Sequence, residues 1–415
     1  MKPSYQRKFL MAGLFVGLLF FSSTSPEWGF FGHRRINRMA VFTLPPEMIL
    51  FYKRNIEYVT EHAVDPDKRR YATKHEAVRH YIDIDHWGTF PFDNIPREWS
   101  EALAKFLQVS IINQAGDTLL MDWERIAVPE RLTLPGADEA FSIDFKREFL
   151  PFFRENILPQ YYEEEWKLSC DSLASLFGLS AGVWDCQKVI VQDGFSGYGI
   201  VPYHLEAMQN RLTEAFRRQD VGRILQLSAE MGHYIGDAHV PLHTTENYNG
   251  QLTDQIGIHA FWESRLPELY ADNSYDYFVG KAEYIEKPRE YFWNMVLESH
   301  QLLDSVLAVE KALSKSFPPD KQYCFEERLG VTIKTQCRDY AEAYHKSMQG
   351  MVERRMRSAI HAIGCSWYTA WIDAGQPNLF PINKYELTPE ELEALDNLNT
   401  QYQSGDAKGR THEDQ

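Results

Sequence analysis

Residues 211–243 read RLTEAFRRQDVGRILQLSAEMGHYIGDAHVPLH and contain the clearest helical pattern in the chain. Apolar residues recur every three to four positions, at Ile224, Leu227, Met231 and Ile235. This period predicts an amphipathic helix in which these four side chains share one face. The helix is expected to end before Pro241, because proline lacks the amide hydrogen and its ring clashes with the preceding turn.

Polar residues occupy the opposite face of this predicted helix. His233 and Asp237 are four positions apart and therefore lie one above the other. Ala229, Gly232 and Gly236 lie at the border between the two faces, where small residues let another helix approach closely. The helix is thus expected to be buried on more than one side. A buried carboxylate there is costly unless it is ion-paired or bound to a metal.

The rest of the chain is dominated by helical patterns, which are clearest over 289–313 and 340–371, while alternating strand patterns are scarce. We therefore predict an all-α fold with one main domain over residues 26–382. Residues 87–203 are rich in aromatic residues, proline and glycine, and they form a long insertion in that domain. Residues 383–415 are polar and acidic, and we expect a disordered tail there.

The first 25 residues have the layout of a signal peptide. Basic Lys2, Arg7 and Lys8 precede an apolar run over residues 9–21, and small polar residues follow. The run is too short for an ordinary membrane span, and no later segment is long and apolar enough to be one. The mature protein is expected to be periplasmic or secreted, with no transmembrane span.

The cysteines and the overall charge limit the kinds of metal site and nucleic-acid surface that the protein can have. An oxidising compartment would permit the bridges Cys170–Cys186 and Cys324–Cys337 and would leave Cys365 unpaired. The cysteine spacings match no zinc-cysteine motif, so a metal would have to bind through histidine and carboxylates. The formal charge of −16 disfavours a broad basic surface for nucleic acid but still allows a small cationic site.

Two strings resemble known catalytic motifs without matching them. HEAVRH, residues 75–80, has its histidines five apart rather than four, so they do not share a helical face as in zinc proteases. GLSAG, residues 178–182, fits the nucleophile-elbow pattern of serine hydrolases, but no strand pattern precedes it. Neither string predicts its usual chemistry here.

Several histidines and carboxylates remain as candidates for a metal site. His259 and Glu263 form a second helical pair at a spacing of four, shortly after His243. A lone pair of this kind is usually a solvated ion pair on a helix surface. Two pairs in succession with a histidine between them favour metal binding, since zinc prefers histidine nitrogen and carboxylate oxygen. His239 points away from the His233/Asp237 face and is expected to be a packing residue.

The short strings WGFFGH, VDPDKR, HYID, HYIGDAHVPLH and HAFWE occur in this order along the chain. Together they resemble the zinc-dependent phospholipase C superfamily, which also contains the single-strand-specific zinc nucleases. The resemblance spans residues 28–263 and implies a mainly α-helical fold, a phosphodiester substrate and a site with two to three zinc ions. The metal ligands that it implies are Trp28, His33, Asp65, His80, His233, Asp237, His243, His259 and Glu263.

The resemblance also implies how these ligands are distributed among the zinc ions. Asp65, His80, His233 and Asp237 would hold one zinc, and His243, His259 and Glu263 a second. Asp237 would bridge to a third, completed by His33 and the backbone amine and carbonyl of Trp28. That amine requires cleavage directly before Trp28, although Pro26 and Glu27 make a poor signal-peptidase site. Water activated by zinc would attack the phosphate, and Asp65 is the candidate to orient it or accept its proton.

The substrate is less constrained than the metal site. Glu263, and the short interval between His243 and His259, resemble the phospholipase branch, which would also contact a lipid surface transiently. Tyr81 and Asp83 resemble the nuclease branch, where an aromatic side chain and an aspartate hold a base. Arg34, Lys68 and Arg69 are candidate phosphate contacts.

We therefore predict a phospholipase C-like phosphodiesterase acting on a phospholipid headgroup. The alternative within the superfamily is a single-strand nuclease or 3′-nucleotidase, which would act on single-stranded nucleic acid or a nucleotide. The alternative in a different class is a zinc-binding protein without turnover.

Overall fold

A computed structural model describes the chain from residue 29 onward, over residues 29–121, 123–124, 131–133, 142–160, 166–179, 185–328, 331–380, 384–405, 407–408 and 410. The helices are α1 Gly29–Ala40, α2 Pro46–Arg54, α3 Ile56–Glu61, α4 Asp65–Arg69, α5 Lys74–Ala77, α6 Trp99–Lys105, α7 Leu150–Asn156, α8 Cys170–Leu176, α9 Val201–Arg218, α10 Val221–Ala238, α11 Ile258–Ala260, α12 Leu266–Ser274, α13 Pro288–Ser316, α14 Arg338–Ser347, α15 Met351–Asp373 and α16 Pro389–Gln403. The strands are β1 Gln108–Ile112, β2 Thr118–Leu120, β3 Trp123–Glu124, β4 Arg131–Thr133, β5 Ser142–Asp144, β6 Trp166–Leu168, β7 Lys188–Gln192, β8 Tyr323–Arg328 and β9 Val331–Gln336.

Helix α10 is the helix predicted from the 211–243 stretch. It begins after Asp220, whose carboxylate accepts a hydrogen bond from the Arg223 backbone amide at 3.1 Å and so caps the first turn. The four residues of the apolar stripe are buried, as predicted. His233 and Asp237 on the other face are also fully buried, which confirms that the helix is covered on more than one side.

The small residues of α10 face α1. A Cβ atom at Gly236 would lie 2.7 Å from Cδ1 of Ile36 and 2.9 Å from Nδ1 of His33, so no larger residue fits there without a shift. The Asn37 amide donates to the Ala229 carbonyl at 2.9 Å and links the two helices directly. This close approach places His33 against the polar face of α10.

A hydrophobic core surrounds this helix pair, to which α9, α13 and α15 contribute. Trp367 of α15 is fully buried and stacks on Tyr52 of α2, with ring centroids 4.7 Å apart. Its indole nitrogen donates to the Ser228 carbonyl at 3.1 Å. The bundle therefore packs against α10 on the side that carries its apolar stripe.

The insertion contains strands that the predicted all-α class did not include. Strands β2-β1-β7-β6 form an antiparallel sheet, β3-β4-β5 form a second, and β8 and β9 form a hairpin outside the insertion. The body is mostly helical, as predicted. Strands β1 and β7 have five residues each with alternating burial, a length at which the period gives little contrast with a buried helix. Phe106 and Phe195 belong to the same hydrophobic core as α10, so the insertion shares the core of the body.

The tail was predicted to be disordered, but it contains helix α16. Thr388 accepts a hydrogen bond from the Glu391 amide at 3.2 Å, and Glu391 accepts one from the Thr388 amide at 2.8 Å. This reciprocal capping, with Pro389 in the first turn, starts the helix despite its polar composition. The helix buries none of its own side chains.

Both cysteine bridges that an oxidising compartment would permit are formed, Cys170–Cys186 and Cys324–Cys337, and Cys365 is buried with a free thiol. Within the described residues, no helix combines the length and the apolar character needed to cross a membrane. The signal peptide predicted over residues 1–25 lies outside the described residues.

Candidate metal centre

Histidines and carboxylates from separate elements meet at the polar face of α10. Helix α1 contributes His33, α4 Asp67, the segment after α5 His80, and α10 His233 and Asp237. The 3₁₀ turn Pro241–Thr244 contributes His243, α11 His259, and the π-helical turn Phe261–Arg265 contributes Glu263. The side chain of Glu263 is 11% exposed, and the others are buried more completely.

The first group of ligand atoms surrounds Oδ2 of Asp237. This oxygen lies 2.9 Å from Nδ1 of His80 and 3.3 Å from Nε2 of His233, and the two nitrogens are 3.1 Å apart. Oδ1 of Asp67 completes the group at 3.5 Å from His233 Nε2 and 3.7 Å from His80 Nδ1. Tetrahedral zinc with ligands at 2.0–2.1 Å separates them by about 3.3 Å. The observed spacings fit such a polyhedron.

The second group is a triangle formed by His243, His259 and Glu263. The two Nε2 atoms are 3.2 Å apart, and Oε2 of Glu263 lies 3.2 Å from His243 and 2.8 Å from His259. The π-helical turn widens the backbone at Glu263 and is a kind of irregularity that often occurs at functional sites. Three donors at these distances are compatible with a second metal ion.

The third group joins the first two. Nε2 of His33 lies 3.4 Å from Oδ1 of Asp237 and 3.5 Å from Oε1 of Glu263. Each carboxylate therefore directs one oxygen to its own group and the other toward His33. The resemblance implies a bridging role for Asp237, whereas the shared position of Glu263 was not predicted. Trp28, the further ligand expected here, lies outside the described residues.

Backbone carbonyls fix the orientation of three of these imidazoles. Nδ1 of His233 donates to the Ala63 carbonyl at 2.8 Å, Nδ1 of His243 to the His80 carbonyl at 2.8 Å, and Nδ1 of His259 to the Tyr248 carbonyl at 3.2 Å. A proton on the outer nitrogen leaves the lone pair of Nε2 directed into the cluster. Histidine ligands of metal sites are usually held in this way.

Two carboxylates in the cluster, those of Asp237 and Glu263, have pKa values well below the ordinary range and therefore favour the charged form. Burial disfavours the charge on Asp237, but His233 and His243 outweigh burial and hold the pKa of Asp237 well below its ordinary value. The pKa of Glu263 is also low, because His243 and His259 outweigh the effect of burial. The cluster thus places anionic oxygens deep in the protein, where a cation stabilises them.

The structure places Asp67 in the position that the sequence assigned to Asp65. The Asp65 carboxylate accepts hydrogen bonds from His62 at 2.6 Å and Lys68 at 3.2 Å, and it does not join the cluster. Residues 65–69 form a helical turn, in which positions two apart point in roughly opposite directions. The string VDPDKR contains both aspartates, and its spacing does not show which of them faces inward.

The predicted phosphate contacts are paired with carboxylates outside the cluster. Arg34 lies 3.0 Å from Glu61, and Arg69 lies 2.8 Å from Glu230. Lys68 pairs with Asp65. The structure therefore does not bring Arg34, Lys68 and Arg69 together at the cluster.

Glu76 is a buried acid that the sequence analysis did not select. It is fully buried behind His80, with Oε1 3.8 Å from His80 Nε2, and it accepts a hydrogen bond from the Tyr234 hydroxyl. Arg79 pairs with its other oxygen at 2.8 Å. Glu76 belongs to the string HEAVRH, which does not match the zinc-protease motif. Its contact with His80 was therefore not predicted.

His239, expected to be a packing residue, contacts the backbone of its own helix. Its Nδ1 lies 2.7 Å from the Ile235 carbonyl, and its own carbonyl accepts a hydrogen bond from Arg355 at 3.0 Å. The hydrogen bond from Arg355 attaches the end of α10 to α15.

Tyr81 and Asp83 lie beside the cluster. With Thr245 and Tyr248 they form a second polar feature, which we call the tyrosine slot. The guanidinium of Arg410 occupies it, with Cζ 4.0 Å from the centroid of the Tyr81 ring and 3.6 Å from that of Tyr248. Burial raises the pKa of Asp83 to about 6, although Arg410 opposes this shift. The contact of Arg410 with this slot was not predicted, because Arg410 lies in a tail that was expected to be disordered.

No protein-family model matches this chain, and no curated protein matches it significantly in sequence. The resemblance to the phospholipase C superfamily therefore depends on the order and spacing of the quoted residues. The geometry adds that several buried groups of three ligands could hold a metal ion.

Proposed function

We propose that this chain is an exported multi-zinc phosphodiesterase that hydrolyses phosphate esters with water. The supporting observation is the convergence of imidazole nitrogens and carboxylate oxygens at 2.8–3.7 Å, with outer nitrogens held by backbone carbonyls. Acceptor atoms this close repel one another unless protons or cations lie between them. The two disulfide bridges support export to an oxidising compartment.

Zinc suits this donor set because it binds histidine nitrogen and carboxylate oxygen tetrahedrally. In the cluster it would supply Lewis acidity, which lowers the pKa of water and stabilises charge on a phosphoryl oxygen. Asp67, Asp237 and Glu263 contribute three negative charges, fewer than the four or six positive charges of two or three zinc ions. The site would attract a phosphodiester despite the acidic chain.

The residues then take distinct roles in the proposal. Asp67, His80, His233 and Asp237 would hold the first ion. His243, His259 and Glu263 would hold the second, and His33 lies between the two groups, close to the carboxylates of Asp237 and Glu263. The proton-accepting role first considered for Asp65 passes to Asp67, since Asp67 is the aspartate of this turn whose oxygen faces the cluster.

A phospholipid headgroup is the first candidate substrate. Glutamate rather than aspartate at 263 and the short interval between His243 and His259 support this choice, which carries the expectation of transient contact with a lipid surface.

The tyrosine slot favours the alternative, a single-strand nuclease or 3′-nucleotidase. It contains aromatic faces and a carboxylate whose two oxygens both accept hydrogen bonds from one nitrogen, Nη1, of a planar group. A nucleobase has a flat ring with N–H donors at its edge and meets the same requirements.

Metal analysis combined with three assays tests the proposal. The purified protein should contain at least two zinc ions per chain and should hydrolyse phosphatidylcholine, single-stranded DNA or a nucleoside 3′-phosphate. Hydrolysis of the lipid supports the first candidate, and hydrolysis of either nucleic-acid substrate supports the second. Bound zinc without turnover on any of the three would indicate the non-catalytic zinc-binding protein. Fewer than two zinc ions per chain would contradict the mechanism.

A further inference from the structure

The chain beyond α16 returns to the edge of the metal site. At the end of α16, the ring of Tyr402 packs against Phe30 and Tyr71, with centroids 6.0 and 5.2 Å away. Further on, the Lys408 amide donates to the Arg70 carbonyl at 3.0 Å, and the Arg70 guanidinium donates to the Arg410 carbonyl. Arg70 therefore holds the backbone on both sides of residue 409.

These backbone contacts direct the Arg410 side chain into the tyrosine slot. Its Nη1 donates to both Asp83 oxygens at 2.8 Å, and its Nη2 donates to the Thr245 carbonyl at 3.2 Å. The rings of Tyr81 and Tyr248 contact the guanidinium, and the Arg410 side chain is 16% exposed. Charge-assisted hydrogen bonds and aromatic faces together compensate for the removal of this cation from water.

The slot adjoins the metal ligands directly. Tyr81 follows His80 in sequence, and the carbonyl of Tyr248 accepts the hydrogen bond from His259. The rings of Tyr248 and His259 are 6.0 Å apart. A group bound in the slot therefore lies next to the cluster, where part of a substrate would bind under the proposed function.

We propose that Arg410 is an internal ligand of the tyrosine slot and that it inhibits the enzyme by competing with the planar group of a substrate. This inference rests on the proposed function for its effect on turnover, whereas the contact itself does not. The segment that carries Arg410 follows a helix with no buried side chains, so its attachment is local and can be released without unfolding the core.

The test of the contact measures peptide binding and needs no turnover. The full-length Arg410→Gln variant, loaded with zinc, leaves the slot without its internal ligand. A synthetic peptide of residues 404–415 is titrated into this variant by calorimetry and is expected to bind. The same peptide with Arg410→Gln should bind about tenfold or more weakly, because it lacks the charge-assisted hydrogen bonds.

Lys408→Gln is the matched control, since it removes a positive charge from the same segment. Lys408 contacts Arg70 through its backbone amide, so the Lys408→Gln peptide should bind as well as the original. Equal binding of the original and Arg410→Gln peptides, or no binding of either, would overturn the inference.

Kinetics with whichever of the three candidate substrates is turned over then test inhibition. In the full-length protein, Arg410→Gln should lower KM several-fold at unchanged kcat, and Lys408→Gln should leave KM unchanged. An unchanged KM in Arg410→Gln would overturn competition with substrate. If no substrate is turned over while peptide binding depends on Arg410, the proposed function fails and the internal contact stands.

Discussion

The candidate metal cluster and the tyrosine slot are adjacent, yet they are formed by different parts of the chain. The residues of the cluster come from α1, α4, the segment after α5, α10, α11 and two short turns, and backbone carbonyls orient three of the imidazoles. The slot is filled by one side chain from a segment that is attached locally to Arg70. The cluster is therefore part of the core, whereas the occupant of the slot can be exchanged.

Under the proposed function, this difference would separate metal binding from the control of substrate binding. The atoms that would hold metal are fixed by the same packing that stabilises the bundle, so changes there should affect metal content and stability together. Changes in the slot should affect ligand binding without loss of metal.

The largest effect is expected for Asp237→Asn. Asp237 is fully buried, and its oxygens face His33, His80 and His233, so the variant should lose much of its zinc. Phosphodiesterase activity should fall by about a thousandfold or more, since several kcal/mol of charge stabilisation depend on the metal. Zinc content per chain and turnover are measured together.

His239→Asn is the control from the same helix end. His239 contacts the Ile235 carbonyl, so its replacement should cost about 1–3 kcal/mol of stability and leave the zinc content unchanged. Similar zinc loss in both variants would show that Asp237 acts through folding rather than through coordination.

Removal of metal should give the next largest effect. A ligand that binds the native state at about a thousand times its dissociation constant stabilises it by ~4 kcal/mol. Treatment with a chelator should therefore lower the thermal unfolding midpoint by several degrees, measured by calorimetry. Arg410→Gln should show the same decrease, because the slot does not hold the metal. An unchanged midpoint after complete metal removal would contradict a cluster that depends on cations.

Asp67→Asn and Asp65→Asn form a matched pair with a smaller expected difference. Asp67 faces His233 at 3.5 Å, whereas Asp65 binds His62 and Lys68. Asp67→Asn should weaken zinc binding by about 10- to 100-fold in competition with a chelator. Asp65→Asn should leave it unchanged at a stability cost of about 1 kcal/mol. The opposite result would return the ligand role to Asp65.

This aspartate pair also shows which parts of the site can be predicted from the sequence. The period and the small residues of α10 predicted the helical body, and the helical pairs His233/Asp237 and His259/Glu263 indicated a metal site. His33 and His80 were implied only by the resemblance. The choice between Asp65 and Asp67 depends on the local turn after α3, which no period reveals. The contacts of Tyr248 and Arg410 join segments more than 160 residues apart, and sequence spacing contains no information about them.

The smallest effect is expected at the aromatic face of the slot. Tyr248→Leu removes the ring that lies 3.6 Å from Arg410 Cζ, and Tyr248→Phe retains it. An aromatic face over a cation contributes about 1 kcal/mol, so Tyr248→Leu should weaken binding of the 404–415 peptide about fivefold when introduced with Arg410→Gln. Tyr248→Phe should bind it nearly as well as the parent. Zinc content should be equal in both variants, because the Tyr248 atom that contacts His259 is a backbone carbonyl. A loss of zinc in Tyr248→Leu but not in Tyr248→Phe would show that the Tyr248 ring also stabilises the cluster. The slot and the cluster would then not be independent.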